Sequence, residues 1–211
     1  ARSGIITGAV GTLLLAMALI SPYRFGIDEN LRLLSYGRGL NRALKDPIRV
    51  NVANGEITLK RPSSGRWGIF TPLARQNTSF QSDPLLLINT ADDAFIACQD
   101  LDLFDDRDEE NLMNKVLDRV RKSELINIVG RLGRSDPPEL MLAEKKPLTP
   151  EGLQELILDI RLAGQERRLL VQYSTKDRIK AFIRVGCARR SLFEQVEKDF
   201  REAFAEFRAM I

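Results

Sequence analysis

Hydrophobic and polar residues follow three different rhythms along this chain. The first is an unbroken apolar run. Residues 4–20 read GIITGAVGTLLLAMALI, and no charge falls between Arg2 and Arg24. A helix of that length spans about 30 Å, the thickness of a bilayer's hydrocarbon core. The run therefore predicts a membrane-spanning anchor within residues 1–25, closed by Ser21-Pro22, with Tyr23, Arg24 and Phe25 suited to the interface. A chain that starts at Ala1 and keeps this run reads as processed and anchored, rather than as carrying a cleavable signal. Gly4, Gly8 and Gly11 lie near one face and would let a second helix approach closely in lipid. Arg24, Arg32 and Arg38 follow the run closely, a bias that weakly favours the rest of the chain on the positive side of the membrane.

The second rhythm has period two. In IRVNVANGEITLKR, Ile48, Val50 and Val52 alternate, Asn54-Gly55 makes a tight turn, and Ile57 and Leu59 alternate back, which predicts a β-hairpin. A third strand is expected over 66–71, around Trp67 and Phe70. Leu85 to Asn89 is a short apolar run of the buried-strand kind; the turn Ala91-Asp92-Asp93 leads to its partner, Ala94 to Leu101. Later, Arg168 to Tyr173 and Ile179 to Cys187 read as two more strands.

The third rhythm is helical. Ile27, Leu31, Leu34 and Leu44 share a face and predict a helix over about 28–44, stopped by Pro47. Leu112, Val116, Val120, Ile128 and Leu132 predict one long helix ending near Gly130 and Gly133. Thr149-Pro150 reads as a cap followed by proline at the first helical position, opening a helix through Leu153, Leu156, Ile157 and Ile160 that ends at Gly164. Ser191-Leu192-Phe193-Glu194 has the spacing of a capping box before a last helix striped with Phe193, Val196, Phe200, Phe204 and Phe207.

Together these elements predict an α+β protein: one N-terminal transmembrane helix, then antiparallel sheet with flanking helices. Residues 26–134 form a helix, about five short strands and a long helix. Residues 135–211 form an αββα unit, separate or packed with the first as one domain; Ser135-Asp136-Pro137-Pro138 marks the boundary.

Composition narrows the chemistry. With 44% hydrophobic and 29% charged residues, the chain is of globular type. Its 32 basic residues against 29 acidic ones give a net charge of +3, and the charges are interspersed, which speaks against a nucleic-acid partner. Histidine is absent, so Ser-His-Asp and Cys-His nucleophiles, histidine metal ligation and a histidine pH switch are excluded. Cys98 and Cys187 lie in apolar runs and read as buried thiols, with a disulfide open only in an oxidising compartment.

The stretch DLDLFDDRDEE, holding Asp100, Asp102, Asp105 and Asp106, offers oxygen ligands for a hard cation, but it lacks the calcium-loop rhythm and reads first as carboxylates opening a helix. Gly130-x-x-Gly133 lacks the Lys-Ser/Thr of a phosphate loop. Arg189 and Arg190 could meet acidic partners or lipid head groups. In the final helix the reading divides the stripe, with Phe193, Val196 and Phe200 in the core and Phe204 and Phe207 at least partly at an interface.

A single membrane helix, a short helix ending SYGRGLNRALKDP and a later strand ending FIACQDLDL give residues 4–103 an order of parts that resembles the mitochondrial family joining a presequence-translocase subunit with a cytochrome oxidase assembly factor. The resemblance implies anchoring in the inner membrane and a role in translocation or respiratory-complex assembly. It rests on topology, and no site residue carries over from it.

The expectation is thus a non-catalytic accessory or assembly subunit of an organellar membrane complex, needing no cofactor and no small-molecule substrate. Its partners would be the other subunits and the bilayer. The mitochondrial inner membrane comes first, a plastid thylakoid or envelope complex second, and a bacterial inner membrane third. The alternative of another class is a carboxylate- or metal-dependent enzyme centred on residues 100–110.

Overall fold

The computed structural model describes residues 46–52, 55–64, 67–69, 85–102, 109–131, 138–162, 165–175 and 180–210. The predicted anchor, with Gly4, Gly8 and Gly11, and the predicted helix over 28–44 lie outside these residues. Among the described residues no helix is long and apolar enough to cross a membrane.

The alternating Ile48–Val52 (β1) and Gly55–Leu59 (β2) pair antiparallel as their rhythm predicts. Val52 faces Gly55 across the ladder, so Gly55 is the first residue of β2, where the sequence places it in the turn. Gly68–Ile69 (β3), Leu85–Asn89 (β4) and Ala94–Asp102 (β5) follow as consecutive antiparallel neighbours. The turn between β4 and β5 is held by Asn89, whose Oδ1 accepts from the Ala91 and Asp92 backbone at 3.1 and 3.3 Å.

The expected long helix is two helices, Glu109–Arg121 (α1) and Glu124–Arg131 (α2). Ser123 divides them: its hydroxyl accepts from the Ile126 backbone N–H at 3.2 Å, the bond of a helix N-cap. Residues 149–164 do not form a helix. Glu139–Lys145 (β6) and Leu153–Leu162 (β7) are paired strands, so the C-terminal part is not αββα. Leu156, Leu158 and Ile160 alternate onto one face of β7, and Ile157 is buried on the other. Ile157, the one buried apolar side chain on a face otherwise carrying Glu155, Asp159 and Arg161, puts Leu153, Leu156, Ile157 and Ile160 at what also looks like helical spacing.

Gln165–Ser174 (β8) and Lys180–Arg189 (β9) complete the sheet, whose order is β3-β4-β5-β9-β8-β7-β6. β9 pairs with β5 from Phe95↔Cys187 to Asp102↔Lys180, so one sheet runs through both halves of the chain. A single 3-10 turn, Arg190–Leu192, leads into Phe193–Ala205 (α3). The expected capping box is not formed, because the helix starts at Phe193 and no side chain caps it. Arg208–Met210 (β10) returns to pair with β2, completing a three-stranded sheet.

Two cores result. Leu112, Val116 and Val120 of α1 and Leu125 and Val129 of α2 cover the face carrying Phe95, Leu158 and Val171. The opposite face carries Ile96, Ile157 and Leu170, and is covered by α3 together with Ile48, Ile57 and Leu59 of the small sheet. Trp67 is sealed in this second core. Its indole N–H donates to Asp199 Oδ2 of α3 at 2.7 Å, where the Ser64 hydroxyl also donates at 2.5 Å. Cys98 and Cys187 are buried in different cores, on opposite faces of the sheet, and form no disulfide. Burial pushes the Cys187 thiol up to about 11.

Candidate docking edge

β6 ends the seven-stranded sheet, and among the described residues β7 is its only sheet neighbour. Leu140 faces Ile160 and packs against the first core. Beyond it the strand leaves cover: Met141 is 47% exposed, Leu142 47%, and Leu148 in the following loop 50%. These are the large exposed hydrophobics of the described fold. Between Leu142↔Leu158 and Glu144↔Ile157 the register shifts, so Ala143 is an extra residue on the edge, a β-bulge.

This edge is held rigidly from behind. Lys146 begins the loop to β7; its backbone N–H donates to Glu155 O at 3.0 Å, and its carbonyl accepts from Gln154 Nε2 at 2.6 Å. Gly152 closes the loop with φ 79°, a left-handed conformation that favours glycine. Its N–H donates to Thr149 O at 2.8 Å, and its carbonyl accepts from the Thr175 backbone and hydroxyl at 2.8 and 3.0 Å.

Glu155 fastens the hairpin to the helix layer. Its carboxylate accepts from Arg201 of α3 at 3.0 and 3.1 Å, from Gln172 at 2.7 Å, and pairs with Lys146 Nζ at 2.6 Å. Burial works to raise its pKa, but the hydrogen bonds from Arg201, Lys146 and Gln172 outweigh it and hold the group at about 2, against an ordinary 4.5. Farther along β7, Asp159 is held below its ordinary range by two hydrogen bonds from Arg168, at 2.8 and 3.1 Å. Both carboxylates are fixed anions near neutral pH. They serve as struts and are poorly placed to exchange protons.

The residues singled out in the sequence fall elsewhere. Asp100 and Asp102 are on β5, and Asp105 and Asp106 lie outside the described residues. The buried guanidinium of Arg119 on α1 donates to the Asp100 carbonyl at 2.9 Å and pairs with its carboxylate at 3.5 Å. No group of three or more metal-ligating side chains is found among the described residues. Arg189 donates to Asp93 at 2.6 Å, and Arg190 pairs with Glu166 at 3.2 Å; both remain about half exposed. Phe204 corrects the expected division of the stripe. It is 3% exposed and belongs to the second core, because α3 is still seated on the sheet at that turn. Phe207, past the helix end, is half-buried against Phe182, with the Arg184 guanidinium 4.9 Å from its ring centre.

No family model matches the chain, and no curated protein matches it in sequence. Solved structures that resemble it include the solution structure of cyanobacterial PsbP (CyanoP) from Synechocystis sp. PCC 6803, at 12% identity over 76% of this chain and 90% of that one, with a TM-score of 0.49. Another is the crystal structure of LpqN, involved in cell envelope biogenesis of Mycobacterium tuberculosis, at 12% identity over 77% and 90%, with a TM-score of 0.42. Likenesses of that strength assign neither a family nor a function.

Proposed function

We propose that this chain is a non-catalytic accessory or assembly subunit of a protein complex at an organellar membrane, and that it works by protein contact at the β6 edge. One observation carries the reading: a seven-residue strand, paired on one side alone among the described residues, leaves Met141 and Leu142 uncovered, on a hairpin braced by Glu155 and Arg201. A rigid strand edge with apolar side chains is a template for another strand, supplying affinity through the backbone and selectivity through alternate side chains. The uncharged run between Arg2 and Arg24 supports a place at a membrane. Plastid and mitochondrial membranes both suit this reading.

Native mass spectrometry after mild detergent extraction tests it. The chain should travel with a larger complex, whose other subunits name the membrane. Leu142→Lys should remove it from that complex without unfolding it. A chain that migrates alone, or a variant that stays incorporated, overturns the reading.

A further inference from the structure

We propose that the occupant of the β6 edge is an extended segment of another protein that reads apolar-x-apolar-basic, bound antiparallel as a further strand of the sheet. This rests on the edge being the contact surface, and it names the chemistry of what binds there. The sheet's own cross-strand rows run out at β6 and dictate the next residue in each. One row is apolar across the sheet: Ile88, Phe95, Cys187, Leu169, Leu158 and Leu142 stand opposite one another in turn. All are buried except Leu142, so the row lacks cover only at its open end. A second row, on the other face, alternates in charge. Arg190 pairs with Glu166 at 3.2 Å, Glu166 with Arg161 at 3.5 Å, and Arg161 stands opposite Glu139. The open end of this row is an acid, so its next member is a cation, because opposite charges across strands stabilise a ladder.

Backbone geometry fixes the spacing between the two positions. The Lys146 N–H bond to Glu155 O makes these opposed residues a hydrogen-bonded pair, so alternate residues of β7 from Glu155 onward turn their backbone groups to β6. Asp159 and Arg161 are among them, and opposite these Met141 and Glu139 point inward. Leu140 and Leu142 therefore present their N–H and C=O groups outward. An antiparallel segment bonding to them sets one apolar residue opposite Leu142 and, two positions on, another opposite Leu140. The residue after that falls opposite Glu139 and is the basic one. β7 already meets β6 in this way from the other side: in Leu158-Asp159-Ile160-Arg161, Leu158 faces Leu142 and Arg161 faces Glu139. β6 contains no such sequence, so a second copy does not fit. Lys145 lies past the bulge and on the opposite face from Glu139, outside both rows.

A fluorescein-labelled peptide, Thr-Val-Thr-Val-Lys-Thr with capped ends, tests this by anisotropy against the full chain in mild detergent. A control peptide carries Glu in place of Lys. The Lys peptide should bind saturably and about tenfold more tightly than the Glu peptide. Glu139→Lys should reverse that order and Glu139→Gln should abolish the difference, while Leu142→Lys weakens both peptides. Glu139 is exposed, and circular dichroism should show its variants folded. A Lys peptide that does not bind, or a preference unmoved by Glu139→Lys, overturns the proposal. Native mass spectrometry separates this inference from the reading beneath it. Glu139→Lys should lower incorporation into the complex, as Leu142→Lys does. If only Leu142→Lys does so, the edge is the contact and only the basic position falls. If neither does, both readings fall.

Discussion

A Cβ built on Gly186 would land among the ring carbons of Phe200, with no room between β9 and α3. The residue is glycine because the helix sits on it, and the stripe Phe193-Val196-Phe200 fixes where it sits. Gly186→Ala is expected to cost about 1–3 kcal/mol by overpacking, read as a lowered denaturation midpoint. Part of that loss should return in the double variant with Phe200→Leu; a neutral single variant would mean α3 can shift freely. Glu155 governs a different property. Its folded pKa of about 2 lies below its ordinary 4.5, so the stability it contributes is complete above pH 4.5 and lost as pH falls toward 2. Glu155→Gln should lower stability at neutral pH and flatten the loss across that window, as followed by acid titration of the circular dichroism signal. An unchanged acid profile would show that the strut carries no weight. Neither role was legible in the sequence, since Phe200 above Gly186 and Arg201 beside Glu155 are meetings made by the tertiary fold.

Elements were legible where a rhythm and a turn agreed. The β1–β2 hairpin has alternation on both sides of its connection, and β4–β5 has Ala91-Asp92-Asp93 between two apolar runs. β7 reads as a helix because Ile157 interrupts the alternation of Leu156, Leu158 and Ile160 with Glu155, Asp159 and Arg161, leaving Leu156 and Ile157 adjacent as they would be on a helix. The break at Ser123 was hidden because the apolar stripe continues from Val120 to Ile128 across it. β6 is not legible because ELMLAEK has neither rhythm, and its importance comes from having β7 alone beside it among the described residues. The final helix provides the sharpest test at this scale. Phe200→Ala should cost about 3–5 kcal/mol as a cavity in the second core, with Phe204→Ala close behind. Phe207→Ala should cost about a third as much, since its ring is partly open and touches Phe182 at one side. Equal losses at Phe200 and Phe207 in urea unfolding would place the whole stripe in one environment.

At the scale of the molecule, the sheet crosses the boundary that Ser135 to Pro138 suggested. β5 from the first half lies against β9 from the second, and neither half holds a complete sheet. Local signals could place the proline-rich break but could not show that strands on either side of it would pair. The N-terminal run can be tested on its own. Deleting residues 1–25 should release a folded protein from membranes; retention in a carbonate-washed pellet would show that another part of the chain holds it there. β10 has a consequence for synthesis. Arg208–Met210 pairs with β2, and the central strand β9 ends at Arg189. A chain emerging from a ribosome therefore makes the β1–β2 hairpin long before the residues that complete that hairpin's sheet exist. Contacts so distant in sequence form late. A chain without residues 208–210 would leave one edge of β2 without its strand, a lesion of assembly order that no loss of core residues would reveal.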